Sequence, residues 1–169
     1  PLKMHVFNRA RLIKNSKNRI PYGVDLIQKY RRESWIVFTE NKKQAKEFNK
    51  IINTKGFKSA LYNTDLDSGE RLENLNKFKK ADLNVLVTCT ALDEGFDMPE
   101  ADGALILSAS SSKRQRVQRM GRVLRITENK PNALIVTVYS SKTEFDKLME
   151  EAKRYHKEGV PVSWKRQDR

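Results

Sequence analysis

Residues 35–62 read WIVFTENKKQAKEFNKIINTKGFKSALY. Trp35 to Thr39 is an unbroken apolar and β-branched run, the pattern of a strand buried on both faces. Lys42 to Thr54 then places Ala45, Phe48, Ile51 and Ile52 on one helical stripe, with Gly56 just past its end as a helix stop. Lys58 to Tyr62 is a second short strand. Strand, helix and strand in that order require a crossover, so the two strands run parallel.

The same alternation continues in both directions. Downstream, Ser68 caps a helix to Lys79 with Leu72, Leu75 and Phe78 at helical spacing. Strands follow at Asn84–Thr88, Gly103–Leu107 and Ala133–Tyr139, and a helix is expected from Ser110–Ser112 to Leu124. Thr143 to Lys157 is a closing helix with Phe145, Leu148, Met149 and Ala152 facing inward. Upstream, Ile20 to Arg31 forms one more helix with Pro21 in its first turn. The expected fold is α/β, in three layers, with a mostly parallel sheet covered by helices on both faces. Ligands of such sheets bind beyond the carboxyl ends of the strands. Residues 39–41, 63–67, 88–97 and 108–113 therefore have the strongest claim on function.

The chain of 169 residues is the size of one domain. Residues 20–157 form the expected folded unit, between a basic segment at 1–19 and a basic tail at 158–169. A first residue of Pro rather than Met points to a piece of a longer chain, with 1–19 continuing from an upstream domain. Hydrophobic residues make up 38% and charged residues 33%, as in soluble globular chains. No apolar run approaches the roughly 18 residues of a membrane span, and no signal peptide is visible. Cys89, the single cysteine, lies in an apolar run and reads as a small buried hydrophobe. His5 and His156 form no local motif, and no metal site is expected. A reduced intracellular compartment, cytoplasmic or nuclear, follows.

The net charge is +13. Two acid-free clusters stand out: Lys3, Arg9, Arg11, Lys14, Lys17 and Arg19, and then Lys113, Arg114, Arg116, Arg119, Arg122 and Arg125. Such clusters suit a polyanionic partner, nucleic acid above all, or form a solvated basic surface. In a helix through the second cluster, Val117, Met120 and Leu124 share one face. Gln115, Gln118, Arg122 and Arg125 share roughly the opposite one. Guanidinium groups grip phosphate oxygens in a rigid two-pronged geometry and never lose their charge. The pair suits either a transferring γ-phosphate or the phosphates of nucleic acid. Gly121 interrupts this helix at a cost of about 1 kcal/mol against Ala, which fits a close approach to the backbone.

The run Gln118-Arg119-x-Gly121-Arg122-x-x-Arg125 resembles motif VI of the superfamily 2 helicases. Val87 to Pro99, a strand leading into a threonine-containing loop with Gly95-Phe96-Asp97, resembles motif V. Trp35 to Glu40 resembles motif IV, and Tyr62 to Arg71 the segment between motifs IV and V. The resemblance covers roughly residues 20–140, in family order, and is nearest to the XPB-like and restriction-type DNA translocase branch. DEAD-box RNA helicases usually carry His where Gln118 stands.

The resemblance implies the second RecA-like half of an ATP-dependent helicase or translocase acting on nucleic acid, DNA more than RNA. It makes Arg122 and Arg125 arginine fingers and puts Gln118 beside the nucleotide phosphates. Gly95 and Asp97 would line the nucleotide, with Asp97 toward the ribose. Thr39, Thr88, Thr90, Arg71, Lys113, Arg114 and Arg116 would meet nucleic acid. No G-x-x-x-x-G-K-[ST] loop and no DExH-type magnesium box is present, so ATP and magnesium would be bound mainly by an N-terminal RecA-like partner domain. Asp93 and Glu94, adjacent in the chain, take no catalytic role. The alternative is a non-catalytic basic module that kept the fold and binds nucleic acid or a protein without ATP.

Overall fold

The computed structural model describes residues 7–11, 18–89, 99–107 and 133–166. Seven strands form one sheet: β1 (Phe7–Arg11), β2 (Trp35–Thr39), β3 (Ser59–Tyr62), β4 (Val85–Cys89), β5 (Gly103–Ile106), β6 (Leu134–Tyr139) and β7 (Val162–Arg166). Their order across the sheet is β3-β4-β2-β5-β6-β1-β7, and every neighbouring pair is parallel. Four described helices accompany them: α1 (Arg19–Tyr30), α2 (Lys42–Thr54), α3 (Ser68–Lys79) and α4 (Lys142–Lys157).

The continuous apolar runs are shared between two cores by the pleat, which sends successive side chains to opposite faces. Trp35, Val37, Val85, Val87, Leu105, Leu134 and Val136 join Ile20, Val24 and Ile27 of α1 and Ala45, Phe48 and Ile52 of α2. The intervening residues Ile36, Phe38, Leu86, Ala104, Ile106 and Ile135 join Leu75 and Phe78 of α3 and Tyr155 of α4. α1 and α2 therefore cover one face, and α3 and α4 the other. Each large side chain so buried contributes roughly 1.5–3 kcal/mol. That two-sided burial is why β2, β4, β5 and β6 show no polar alternation.

Differences from the sequence reading are local. The α3 cap is Asp67, whose Oδ1 accepts from the Glu70 N–H at 2.8 Å. Ser68 is instead the first helical residue. The carboxylate at 67 is one residue nearer the start and reaches the free amide of the first turn. Gly56 stops α2 as expected, with φ +86°. The sheet also runs on beyond residues 20 and 157: β1 lies between β6 and β7, in segments read as a basic lead and a basic tail. FNRAR and VSWKR hide their strand character behind charge. The helix expected from Ser110–Ser112 to Leu124 lies outside the described residues. None of the described helices is long and apolar enough to cross a membrane.

Gly103 opens β5 directly under the Trp35 ring, and a Cβ there would lie 2.6–2.8 Å from three ring carbons. Trp35 is fully buried, so the ring has nowhere to go. Gly103→Ala should therefore destabilise the fold by about 1–3 kcal/mol, the usual range for overpacking, as read from the midpoint of urea unfolding. A midpoint equal to that of the wild type would mean that the ring shifts freely.

Candidate functional site at the carboxyl edge of the sheet

Because all strands are parallel, their carboxyl ends share one edge. Thr39 closes β2 there and is fully buried. Its one hydroxyl proton is shared between the Thr88 and Asn41 carbonyls, each at 3.1 Å. Thr88, 2% exposed, donates its own hydroxyl to the Cys89 carbonyl at 3.1 Å. The Leu107 N–H donates to the Phe38 carbonyl at 2.8 Å. The tips of β4, β2 and β5 are thus tied together, and both threonine hydroxyls are spent inside the chain. In this arrangement Thr39 and Thr88 shape the edge rather than present a hydroxyl at its surface.

The loop between β3 and α3 is built on Asn63, which is buried and accepts the Asp65 N–H on Oδ1 at 3.0 Å. Asp65 in turn meets Lys42 Nζ at 2.5 Å and Lys46 Nζ at 2.9 Å, both from the start of α2. Hydrogen bonds from these two ammonium groups hold the Asp65 carboxyl below its ordinary pKa. A lowered folded-state value means that this pairing favours folding above the unfolded carboxyl's pKa. The contribution is lost as pH falls through the folded value. Arg71 is half-buried in α3, close enough to Tyr62 to act on its titration. Burial raises the Tyr62 pKa, and the Arg71 charge partly offsets this.

A buried cation at this edge escaped the sequence reading. Arg19, 4% exposed, begins α1. Its Nη1 donates to the Leu107 carbonyl at 2.8 Å, where the chain leaves β5. Its Nη2 meets Ser140 Oγ at 2.5 Å and Glu144 Oε2 at 2.6 Å. Glu144 Oε2 also accepts the Ser140 N–H at 2.7 Å, while Ser141 Oγ caps α4 by accepting the Glu144 N–H at 3.2 Å. One planar guanidinium thus joins the start of α1, the end of β5, the end of β6 and the start of α4. The sequence signal was half present: S-x-x-E at 141–144 is a capping-box pattern. Nothing separated Arg19 from the other cations of the 1–19 segment.

Gly95, Asp97, Thr90, Lys113, Arg114, Arg116, Gln118, Arg122 and Arg125 lie outside the described residues. The described strands nevertheless fix where their segments are attached: β4 ends at Cys89 and the β5 region at Leu107, both on the carboxyl edge. Among the described residues no group of three or more His, Cys, Asp or Glu could hold a metal ion.

A parallel sheet with both faces covered and polar groups gathered at its carboxyl edge is a RecA-like architecture. The profile of the helicase conserved C-terminal domain matches residues 18–127, and the chain belongs to that family. It is 35% identical over 129 residues to the DNA 3'-5' translocase XPB2 of Sulfurisphaera tokodaii, covering 76% of this chain and 28% of that protein. Over 125 residues it is 30% identical to the UvrABC system protein B of Fusobacterium nucleatum, covering 70% and 19% respectively. It is 25% identical over 118 residues to the ATP-dependent rRNA helicase RRP3 of Scheffersomyces stipitis, covering 70% and 24%. The chain thus spans between 19% and 28% of the length of these relatives. The fold matches the C-terminal domain of the DEAD-box protein Dbp5 with a TM-score of 0.81 at 17% identity, over 98% of this chain and 91% of that one. A DEAD-box protein from Methanococcus jannaschii matches at 0.72 and 17% identity, over 99% and 42%.

Arg19→Met should strand the Glu144 carboxylate against the sheet and destabilise the chain by about 3 kcal/mol, whereas the double change Arg19→Met/Glu144→Leu should recover most of that loss. Equilibrium urea unfolding of the four proteins in the cycle measures both effects. A single variant within about 0.5 kcal/mol of wild type would show that the pair contributes nothing measurable.

Proposed function

We propose that this chain is the second RecA-like half of an ATP-dependent nucleic-acid helicase or translocase, intracellular, with DNA as its substrate. The observation that carries the proposal is the family match across residues 18–127, which encloses the run from Gln118 to Arg125. The preference for DNA is supported by the likeness to the Sulfurisphaera translocase and by Gln118 at the position where DEAD-box RNA helicases usually have His. An intracellular setting is supported by the single thiol, Cys89, which is buried and unpaired.

In this reading ATP, with its magnesium, is held mainly by a first RecA-like domain whose phosphate loop this sequence lacks. The donor set of this chain fits the exposed side of such a nucleotide. Arg122 and Arg125 carry fixed positive charge suited to a γ-phosphoryl group in transfer. Gln118 can bond phosphate or the attacking water, and Asp97 beside Gly95 can accept from a ribose diol. Thr90, Arg71, Lys113, Arg114 and Arg116 are the residues offered to nucleic-acid phosphates, which position without reading sequence. Thr39 acts one step back, holding the tip of β2 to that of β4, and Thr88 keeps its hydroxyl within β4. The pairing of Asp65 with Lys42 and Lys46 partly neutralises the start of α2. We therefore assign the phosphate contacts to Arg71 and the 113–116 cluster rather than to that helix.

By itself the chain should turn over no ATP, because the phosphate loop and magnesium ligands are lacking. Its nucleic-acid affinity should be weak, indifferent to sequence and steeply reduced between low and high salt. Turnover assays, and titrations of single-stranded DNA and RNA at two salt concentrations, check this. Robust ATPase activity of the pure chain would overturn the half-site reading, and a clear preference for RNA would overturn the choice of DNA.

In a protein joining this chain to a phosphate-loop half, Arg122→Ala or Arg125→Ala should lower kcat by on the order of 10³-fold with little change in ATP affinity. Lysine should rescue poorly. Arg116→Ala should weaken nucleic-acid binding and spare kcat at saturating nucleic acid. Equal, modest losses of nucleic-acid affinity in all three, with kcat intact, would reduce the helix to a docking surface.

A further inference from the structure

Among the described strands β3 is at one end of the sheet, with β4 as its one neighbour. The Lys58 carbonyl accepts from the Asn84 and Val85 N–H groups at 2.8 and 3.2 Å, so Lys58 faces β4. By the alternation of a parallel ladder Ala60 and Tyr62 face it too, and Ser59 and Leu61 turn their main-chain groups outward. Outer strands with such groups free are templates for another strand, and proteins commonly guard them with Lys, Arg or Pro. The opposite outer strand, β7, has Lys165 and Arg166 in its sequence; β3 reads Ser-Ala-Leu-Tyr, with its nearest cation, Lys58, just before its start.

Side-chain amides cover the outward groups instead. Asn53, near the end of α2, accepts the Ser59 N–H on Oδ1 at 3.1 Å and donates Nδ2 to the Ser59 carbonyl at 3.4 Å. That is the donor and acceptor pair a residue of a neighbouring strand would offer. The amide is held in place by a second donation, from Nδ2 to the Asn49 carbonyl at 2.8 Å, and Asn49 Oδ1 also accepts the Ser59 hydroxyl at 2.7 Å. From α3, on the other face of the sheet, Asn74 Nδ2 donates to the Leu61 carbonyl at 3.0 Å. The outer edge is gripped from both faces.

We propose that Asn53 and Asn74 close the β3 edge against a second copy of this chain, standing in for the strand that would otherwise pair with it. A second copy is the occupant because it brings an identical uncharged, proline-free strand with the same outward groups. The asparagines thereby keep the unpaired edge from becoming an assembly surface.

The test has two parts. In the wild-type chain, amide hydrogen exchange should show the outward-facing Ser59 N–H protected as strongly as the inward Ala60 N–H. Asn53→Ala should speed Ser59 exchange by about fivefold or more, the worth of one ordinary hydrogen bond, and leave Ala60 nearly unchanged. Sedimentation of Asn53→Ala/Asn74→Ala should then show concentration-dependent self-association with the wild-type near-UV circular dichroism retained. Wild-type exchange of Ser59 at the rate of an unstructured amide would overturn the proposal without any variant. So would a folded double variant that sediments as the wild type does at every concentration.

Discussion

Everything in this structure depends on burying both faces of a wholly parallel sheet. Parallel neighbours cannot be joined by tight turns, so each connection must cross over a face, and the helices that make the crossings supply the apolar cover. β2 shows the consequence within five residues: Trp35 and Val37 go to the core under α1 and α2, while Ile36 and Phe38 go to the core under α3 and α4. The same constraint delivers every carboxyl end to one edge. A site there follows from chain direction before any particular side chain is considered.

That edge is organised by polar groups that the cores cannot absorb. Thr39 uses its hydroxyl to tie the tip of β2 to that of β4, and Thr88 turns its own back onto the Cys89 carbonyl of β4. Arg19 spreads one guanidinium over the ends of β5 and β6 and the start of α4. A lysine could not make these contacts together, because its single ammonium lacks the planar fork. The segments proposed to handle nucleotide and nucleic acid leave the sheet from this braced edge, at Cys89 and Leu107. Family membership accounts for why chemistry is expected at this edge, and the described contacts account for why the edge is stiff.

The interior was legible from sequence, since apolar continuity and helical spacing are direct records of burial. The bounds of α2 and β2 were legible to the residue, as was the end of α3 at Lys79. Charge was the main source of misreading. β1 and β7 carry Arg or Lys within the strand, so their composition reads as that of basic flanks. Arg19 sat in the same basic company although it is buried, because its partner Glu144 is far away in sequence. The cap at Asp67 was missed by one residue, two adjacent polar side chains being equally able to cap on paper. Of the proposed site, Thr39, Thr88 and Arg71 can be placed against the fold, while the motif V loop and the arginine helix rest on resemblance and family match.

The most direct measurement of the central claim, that this edge contributes half of an ATP site, is chemical rescue. In a protein joining this chain to a phosphate-loop half, Arg122→Ala should regain ATP turnover when millimolar guanidinium ion is supplied, at saturating ATP and nucleic acid. Arg116→Ala should give no such response. Turnover of Arg122→Ala equal to that of the wild type and unaffected by guanidinium would contradict the account.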